Sequence, residues 1–204
     1  MQVLEQAIAA TFSPLLRHYT LEEFWRLADL QDRSHYELID GTLFMVPPPD
    51  PRHGNIDARL AAFLHAHLRG NQIRGEVHHP REAIYLDKSV ATYLEPDMMY
   101  VSEALGSQMG DKRTSADIVF EYHSRRTAIY DQTTKADTYL ALNVRELWLI
   151  DSENRIVEVR YAQRRDNQLY WRIHRYEKGE FAESEVLKGW RVSVDELFED
   201  LVTS

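Results

Sequence analysis

The stretch from Asp117 to Asp151 constrains the fold more than any other part of the chain. Asp117-Ile-Val-Phe-Glu-Tyr-His123 is rich in β-branched and aromatic residues and reads as a strand. Ala136, Tyr139, Leu140 and Leu142 then recur at helical spacing, and Glu146-Leu-Trp-Leu-Ile-Asp151 returns to a strand pattern. Two strands joined by a helix predict parallel neighbours with a right-handed crossover. The first strand carries Glu121 in its middle, where a half-buried strand would hold an apolar residue. An ionised carboxylate there needs a partner, and a hard metal ion suits it. Period-2 alternation puts Val119, Glu121 and His123 on one face and Ile118, Phe120 and Tyr122 on the other. Lys135 follows on the helical segment, so a carboxylate and an ammonium come from adjacent elements.

A second acid stands in Glu95-Pro96-Asp97, directly before the apolar run Met98-Met-Tyr-Val101. With these residues in place the chain resembles the PD-(D/E)XK nuclease superfamily, in its branch of small bacterial restriction-endonuclease-like proteins. The matching blocks, in order, are Tyr36-Glu-Leu-Ile-Asp-Gly41, Pro51-Arg-His53, Glu95-Pro-Asp-Met-Met-Tyr-Val-Ser102, Asp117-Ile-Val-Phe-Glu121, Lys135 four residues before Tyr139, and Glu146 to Asp151. They cover nearly the whole chain. The resemblance implies an α/β fold with a restriction-endonuclease-like core, a mixed β-sheet flanked by helices. It also implies a Mg²⁺- or Mn²⁺-dependent endonuclease acting on nucleic acid, with DNA as the expected substrate, and a homodimer that sets one site against each strand.

By the same resemblance Asp97, Glu121 and the backbone carbonyl of Tyr122 are the metal ligands. Glu37 is an auxiliary acid supporting a second ion or a bridging water, and Lys135 orients the water and stabilises charge in the transition state. Read by itself, Glu37 is a solvent-facing strand residue. The sequence departs from the short Glu-x-Lys pattern of the superfamily, because His123 stands where the lysine usually sits; Lys135 from the next helix fits the branch. His123 reads either as a proton carrier beside the site or as a structural hydrogen-bonder. Arg125-Arg126 replace the branch's usual Pro-Ser and are candidates for phosphate contact, as is His53. Asn143 stands in place of a helix-ending glycine and tolerates the left-handed conformation.

The chain has 204 residues and no Gly/Ser-rich linker, which predicts a single domain over 1–204: an N-terminal helical extension over 1–34 and a nuclease-like core over 35–204. Cysteine is absent, which removes disulfides and cysteine-zinc sites. No apolar run approaches membrane-spanning length and no secretory signal is recognisable at Met1, so a soluble cytoplasmic protein without a membrane partner is expected. A formal charge of -9 is the wrong sign for gripping nucleic acid by bulk electrostatics. A local basic patch would have to compensate, and Lys112-Arg113, Arg125-Arg126 and Arg164-Arg165 are the candidates.

Elsewhere, Thr20-Leu-Glu-Glu23 is a capping box for a short helix. Tyr36 to Val46 reads as a hairpin around Asp40-Gly41. Ile56, Leu60, Phe63, Leu64 and Leu68 give a helix from about Arg52 to Gly70, and strands are expected at 76–79 and 82–86. Gly106 to Lys112 lacks the glycine spacing of a phosphate loop. The segments 156–161 and 169–176 read as a hairpin turning at Asp166-Asn167, and 194–201 as a final helix. Beside the nuclease stand two other readings: an inert nuclease-like binding or assembly protein with vestigial acids, and a hydrolase of smaller phosphoesters.

Overall fold

A computed structural model describes residues 17–27, 35–48, 51–80, 82–87, 91–123 and 128–199. In chain order the elements are α1 (Leu21–Phe24), β1 (His35–Ile39), β2 (Thr42–Val46), α2 (Pro51–Gly70), β3 (Gly75–His78), β4 (Ile84–Asp87), β5 (Ala91–Leu94), β6 (Met98–Ser102) and α3 (Glu103–Met109). They continue with β7 (Ile118–His123), α4 (Ala128–Tyr130), a π-helical turn (Asp131–Lys135), α5 (Ala136–Ala141), β8 (Glu146–Asp151), β9 (Ile156–Arg165), β10 (Gln168–Tyr176), β11 (Phe181–Glu183), β12 (Arg191–Ser193) and α6 (Val194–Leu197). Contacts divide the chain into two compact units, Met1–Pro48 with Tyr85–Leu94, and Pro49–Ile84 with Glu95–Ser204.

The first unit is built on the four-stranded sheet β2-β1-β5-β4. Its hairpin pairs Ile39 with Thr42 around Asp40 and Gly41, both at positive φ (49° and 71°), the two-residue turn that Asp-Gly favours. Thr20 caps α1 through the expected box: its hydroxyl accepts from the Glu23 N–H, and the Glu23 carboxylate accepts from the Thr20 N–H at 3.0 Å. The helix thereby delivers Leu21 and Phe24 into a core with Tyr19, Leu38, Leu43 and Ala91. Glu37 is fully buried on β1, which corrects the bare reading of a solvent-facing residue. Alternation alone assigns a residue to a face of its strand but does not say which faces are covered.

The second unit is a six-stranded mixed sheet in the order β10-β9-β8-β7-β6-β3. Strands β7 and β8 are parallel, pairing Ile118 with Glu146 through to His123 with Asp151, as the crossover requires. The other neighbours are antiparallel. One sheet face, with Met98, Tyr100, Phe120, Tyr122, Trp148 and Ile150, packs on Ile56, Leu60, Leu64 and Leu68 of α2, one stripe of that helix. The opposite face, with Val119, Glu121, Leu147 and Leu149, is buried as well, and α5 supplies Ala136 and Tyr139 on that side. A central strand covered on both faces reads as a continuous buried run, and β7 is buried at all six positions.

The β9–β10 hairpin turns at Asp166 and Asn167, both at positive φ, as expected, although its strands are longer than the alternation suggested. Residues 103–109 form α3, capped by Ser102, where no helix was expected. Strands β5, β11 and β12, each three or four residues long, were also missed. The final helix closes at Leu197, and 200–204 lie outside the described residues. Among the described residues no helix is long and apolar enough to cross a membrane.

Candidate active site

Pro96 has no N–H to give to a ladder, and the pairing between β6 and β7 ends at Met98 opposite Phe120. Continued by one residue, that register brings Asp97 opposite Glu121. There the Asp97 side chain takes over as acceptor: its Oδ2 receives the backbone N–H of Tyr122 at 2.8 Å. The proline therefore stands where the ladder stops, and the Tyr122 N–H of the neighbour strand binds the acidic side chain instead.

Glu121 lies on the α5 side of β7 and is 4% exposed. Its Oε1 accepts from the Lys135 ammonium at 2.8 Å and from the Tyr139 hydroxyl at 2.6 Å. Lys135 is 3% exposed, so the pair is an ion pair withdrawn from water. Such a pair holds only with further hydrogen bonds, and Tyr139 supplies one. Lys135 ends the π-helical turn and Tyr139 lies four residues on, the spacing that puts two side chains on one helix face. In the sequence Tyr139 is an apolar helix position and the fourth residue after Lys135; its phenol on Glu121 is the polar partner that this spacing signals. Asp131, at the start of the turn, is buried too, and His123 is buried one pleat along from Glu121.

Tyr122 points its side chain the other way. Its hydroxyl donates to Asp57 Oδ1 of α2 at 3.0 Å, and Asp57 Oδ2 lies 3.2 Å from His79 Nδ1. Burial, and then the negative charges of Asp57 and Asp97, push the phenol well above its usual range, so it remains a donor. The His53 ring lies 6.0 Å from the Tyr122 ring, centroid to centroid, on this α2 side. Sequence offered no signal for Asp57 or His79, which are far from Tyr122 along the chain.

The second unit thus brings together Asp97, Glu121, Tyr122, Lys135 and His123. Glu37 belongs to the first unit. Arg125 and Arg126 lie outside the described residues. Of the other basic pairs, Arg113 is drawn to Glu76 at 3.3 Å, while Arg164 and Arg165 are exposed on the β9–β10 hairpin. Among the described residues no group of three or more His, Cys, Asp or Glu side chains is gathered closely enough to hold a metal ion. Two carboxylates and a backbone carbonyl are all-oxygen donors. They fit Mg²⁺, which takes one or two carboxylates and keeps several waters.

A family model described as "Uma2: Putative restriction endonuclease" matches residues 21–195. No curated protein matches the chain significantly. A solved structure described as a "putative nuclease belonging to DUF820" from Anabaena variabilis ATCC 29413 matches with a TM-score of 0.67 at 18% identity, over 88% of this chain and 97% of that one. At that identity the likeness speaks for the fold.

Proposed function

Because this chain belongs to the Uma2 family and carries a restriction-endonuclease-like fold, we propose that it is a Mg²⁺- or Mn²⁺-dependent endonuclease that hydrolyses phosphodiester bonds of nucleic acid, with DNA as substrate. The observation that carries the reading is the buried Lys135–Glu121 pair at 2.8 Å, on the strand whose Tyr122 N–H holds Asp97. A cytoplasmic homodimer is part of the same proposal.

Asp97, Glu121 and the Tyr122 carbonyl would hold the cation, which when bound supplies charge neutralisation and an acidified water. The Tyr122 N–H holds the Asp97 carboxylate, and the Tyr139 hydroxyl holds that of Glu121. The Lys135 ammonium is placed to orient the attacking water and to offset charge building on the phosphate oxygens. The low dielectric around it strengthens that effect. His123, on the same face, is a group that could carry a proton to or from bulk water. Glu37 is assigned as an auxiliary acid, and Arg125 and Arg126 as phosphate contacts.

One observation favours an inert binding protein instead: Glu121 Oε1 is already engaged by two internal donors in a strongly acidic chain. Incubating single- and double-stranded DNA and RNA with Mg²⁺ or Mn²⁺, alongside the Glu121→Ala variant, separates the two. Cleavage by the wild type and not by the variant is expected. No cleavage of any substrate, together with no metal-linked rise in melting temperature, would move the assignment to the binding protein.

A further inference from the structure

The segment that carries Lys135 is held from outside at two of its main-chain carbonyls. Arg160 Nη1 donates to the Gln132 carbonyl at 2.7 Å, and the Trp171 indole N–H donates to the Ala136 carbonyl at 3.1 Å. The two anchors bracket Lys135, one at the second residue of the π-helical turn and one directly after it. Both come from the β9–β10 hairpin.

Register explains why these side chains reach that spot. Glu121 aligns with Leu149 on β8, Leu149 with Glu158 on β9, and Glu158 with Arg175 on β10. Arg160 aligns with Leu147, and Trp171 with Ala162, two positions further along β9. All these side chains therefore share the sheet face on which Glu121 stands. Glu158 fixes the guanidinium of Arg160, accepting Nε and Nη2 on one oxygen, each at 2.7 Å, while Arg175 Nε binds its other oxygen at 2.7 Å. That leaves Nη1 of Arg160 directed at the turn. Arg160 and Glu158 are 8% and 5% exposed, so this charge cluster is built into the core of the face.

Single π-turns are rare, poorly stabilised by their own backbone and concentrated at functional sites. This one contains Thr133, whose hydroxyl donates to the Ile129 carbonyl, a local competitor of regular helical bonding. Relaxation to α-helical pitch would rotate one flank of the segment against the other by about 100°. Lys135 and Tyr139 both lie on the C-terminal flank, so that rotation would carry them off Glu121 together.

We propose that Arg160 and Trp171 are positioning residues: by clamping the π-helical turn they hold the Lys135 ammonium on Glu121 in the geometry the reaction uses. The kinetic part of this inference rests on the nuclease reading; the structural part does not. The test uses the full chain with Trp171→Phe, which removes the indole N–H and keeps an aromatic ring, and with Arg160→Gln. Acetic anhydride labelling read by mass spectrometry reports how well each lysine is shielded. Lys135 should become about 5- to 10-fold faster to acetylate in both variants, the loss of roughly one hydrogen bond, with other lysines unchanged. On a cleaved substrate kcat should fall about 10- to 100-fold, with KM and Mn²⁺ affinity unchanged, because the lysine is misplaced while the carboxylates are not. Wild-type rates of Lys135 labelling in folded Trp171→Phe would overturn the clamp, and that variant decides alone if Arg160→Gln fails to fold. A wild type that cleaves nothing would remove the nuclease reading, and the labelling result would still stand.

Discussion

Replacing Lys135 by methionine would leave the Glu121 carboxylate in a buried site without its compensating ammonium, the situation in which removing one partner of a buried pair costs about 3–5 kcal/mol. Urea unfolding should show that loss, and Glu121→Gln combined with Lys135→Met should recover part of it; an unchanged midpoint in the single variant would contradict the pair. Glu158 accepts from both Arg160 and Arg175. Burial pushes its carboxyl upward, but the hydrogen bonds from Arg175 and Arg160 outweigh burial and leave it below the usual range. A depressed folded value means that the stabilisation is present above the unfolded value of about 4.3 and is lost as pH falls through the lower folded one. Stability measured from pH 6 down to pH 2 should therefore converge for wild type and Glu158→Gln at the acid end. Glu121 was legible in the sequence because a charged residue inside an apolar run is conspicuous, and Lys135 because the resembled branch draws its lysine from the next helix. Asp57, Arg160 and Trp171 were not, since their partners are set by sheet register and helix docking rather than by local spacing.

Elements were legible where turn chemistry marked their ends. Asn143 sits at φ 62° with its N–H on the Leu140 carbonyl, and the Val144 N–H reaches the Tyr139 carbonyl, a Schellman stop that any residue tolerant of the left-handed region can make. Asn143→Ala should cost about 1–2 kcal/mol, whereas Asn143→Gly should not destabilise; thermal denaturation of the two side by side checks this. The same logic exposed both two-residue hairpin turns, at Asp40-Gly41 and Asp166-Asn167. It failed for β5, β11 and β12, too short for alternation to register, and for the π-helical turn. Asp131-Gln-Thr-Thr-Lys135 shows no pattern that separates a π-turn from an α-turn; the carbonyl contacts from Arg160 and Trp171 that brace it come from a hairpin later in the chain.

At the scale of the whole molecule, the parallel β7–β8 pair followed from the strand–helix–strand reading and the mixed sheet with flanking helices from the family resemblance, while no change of composition marks the partition into two compact units. A chain of charge -9 that grips duplex DNA needs its basic side chains concentrated on one surface, and pairing two copies doubles such a surface without altering either. Sedimentation equilibrium at micromolar concentration should show a dimer; a monomer throughout would sink that proposal. The parallel β7–β8 pair has a further consequence, which concerns the order of events in folding. Parallel strands cannot be joined by a tight turn, so the long connection between β7 and β8 must be closed, and the entropy of closing it is lost before their contacts compensate. Lys135 rides on that segment and Glu121 on the first of the two strands. Their meeting is expected late in folding, so Lys135→Met should speed unfolding and leave the folding rate nearly untouched, which stopped-flow kinetics in urea checks. The Lys135–Glu121 pair is therefore expected to be among the last contacts of this molecule to assemble.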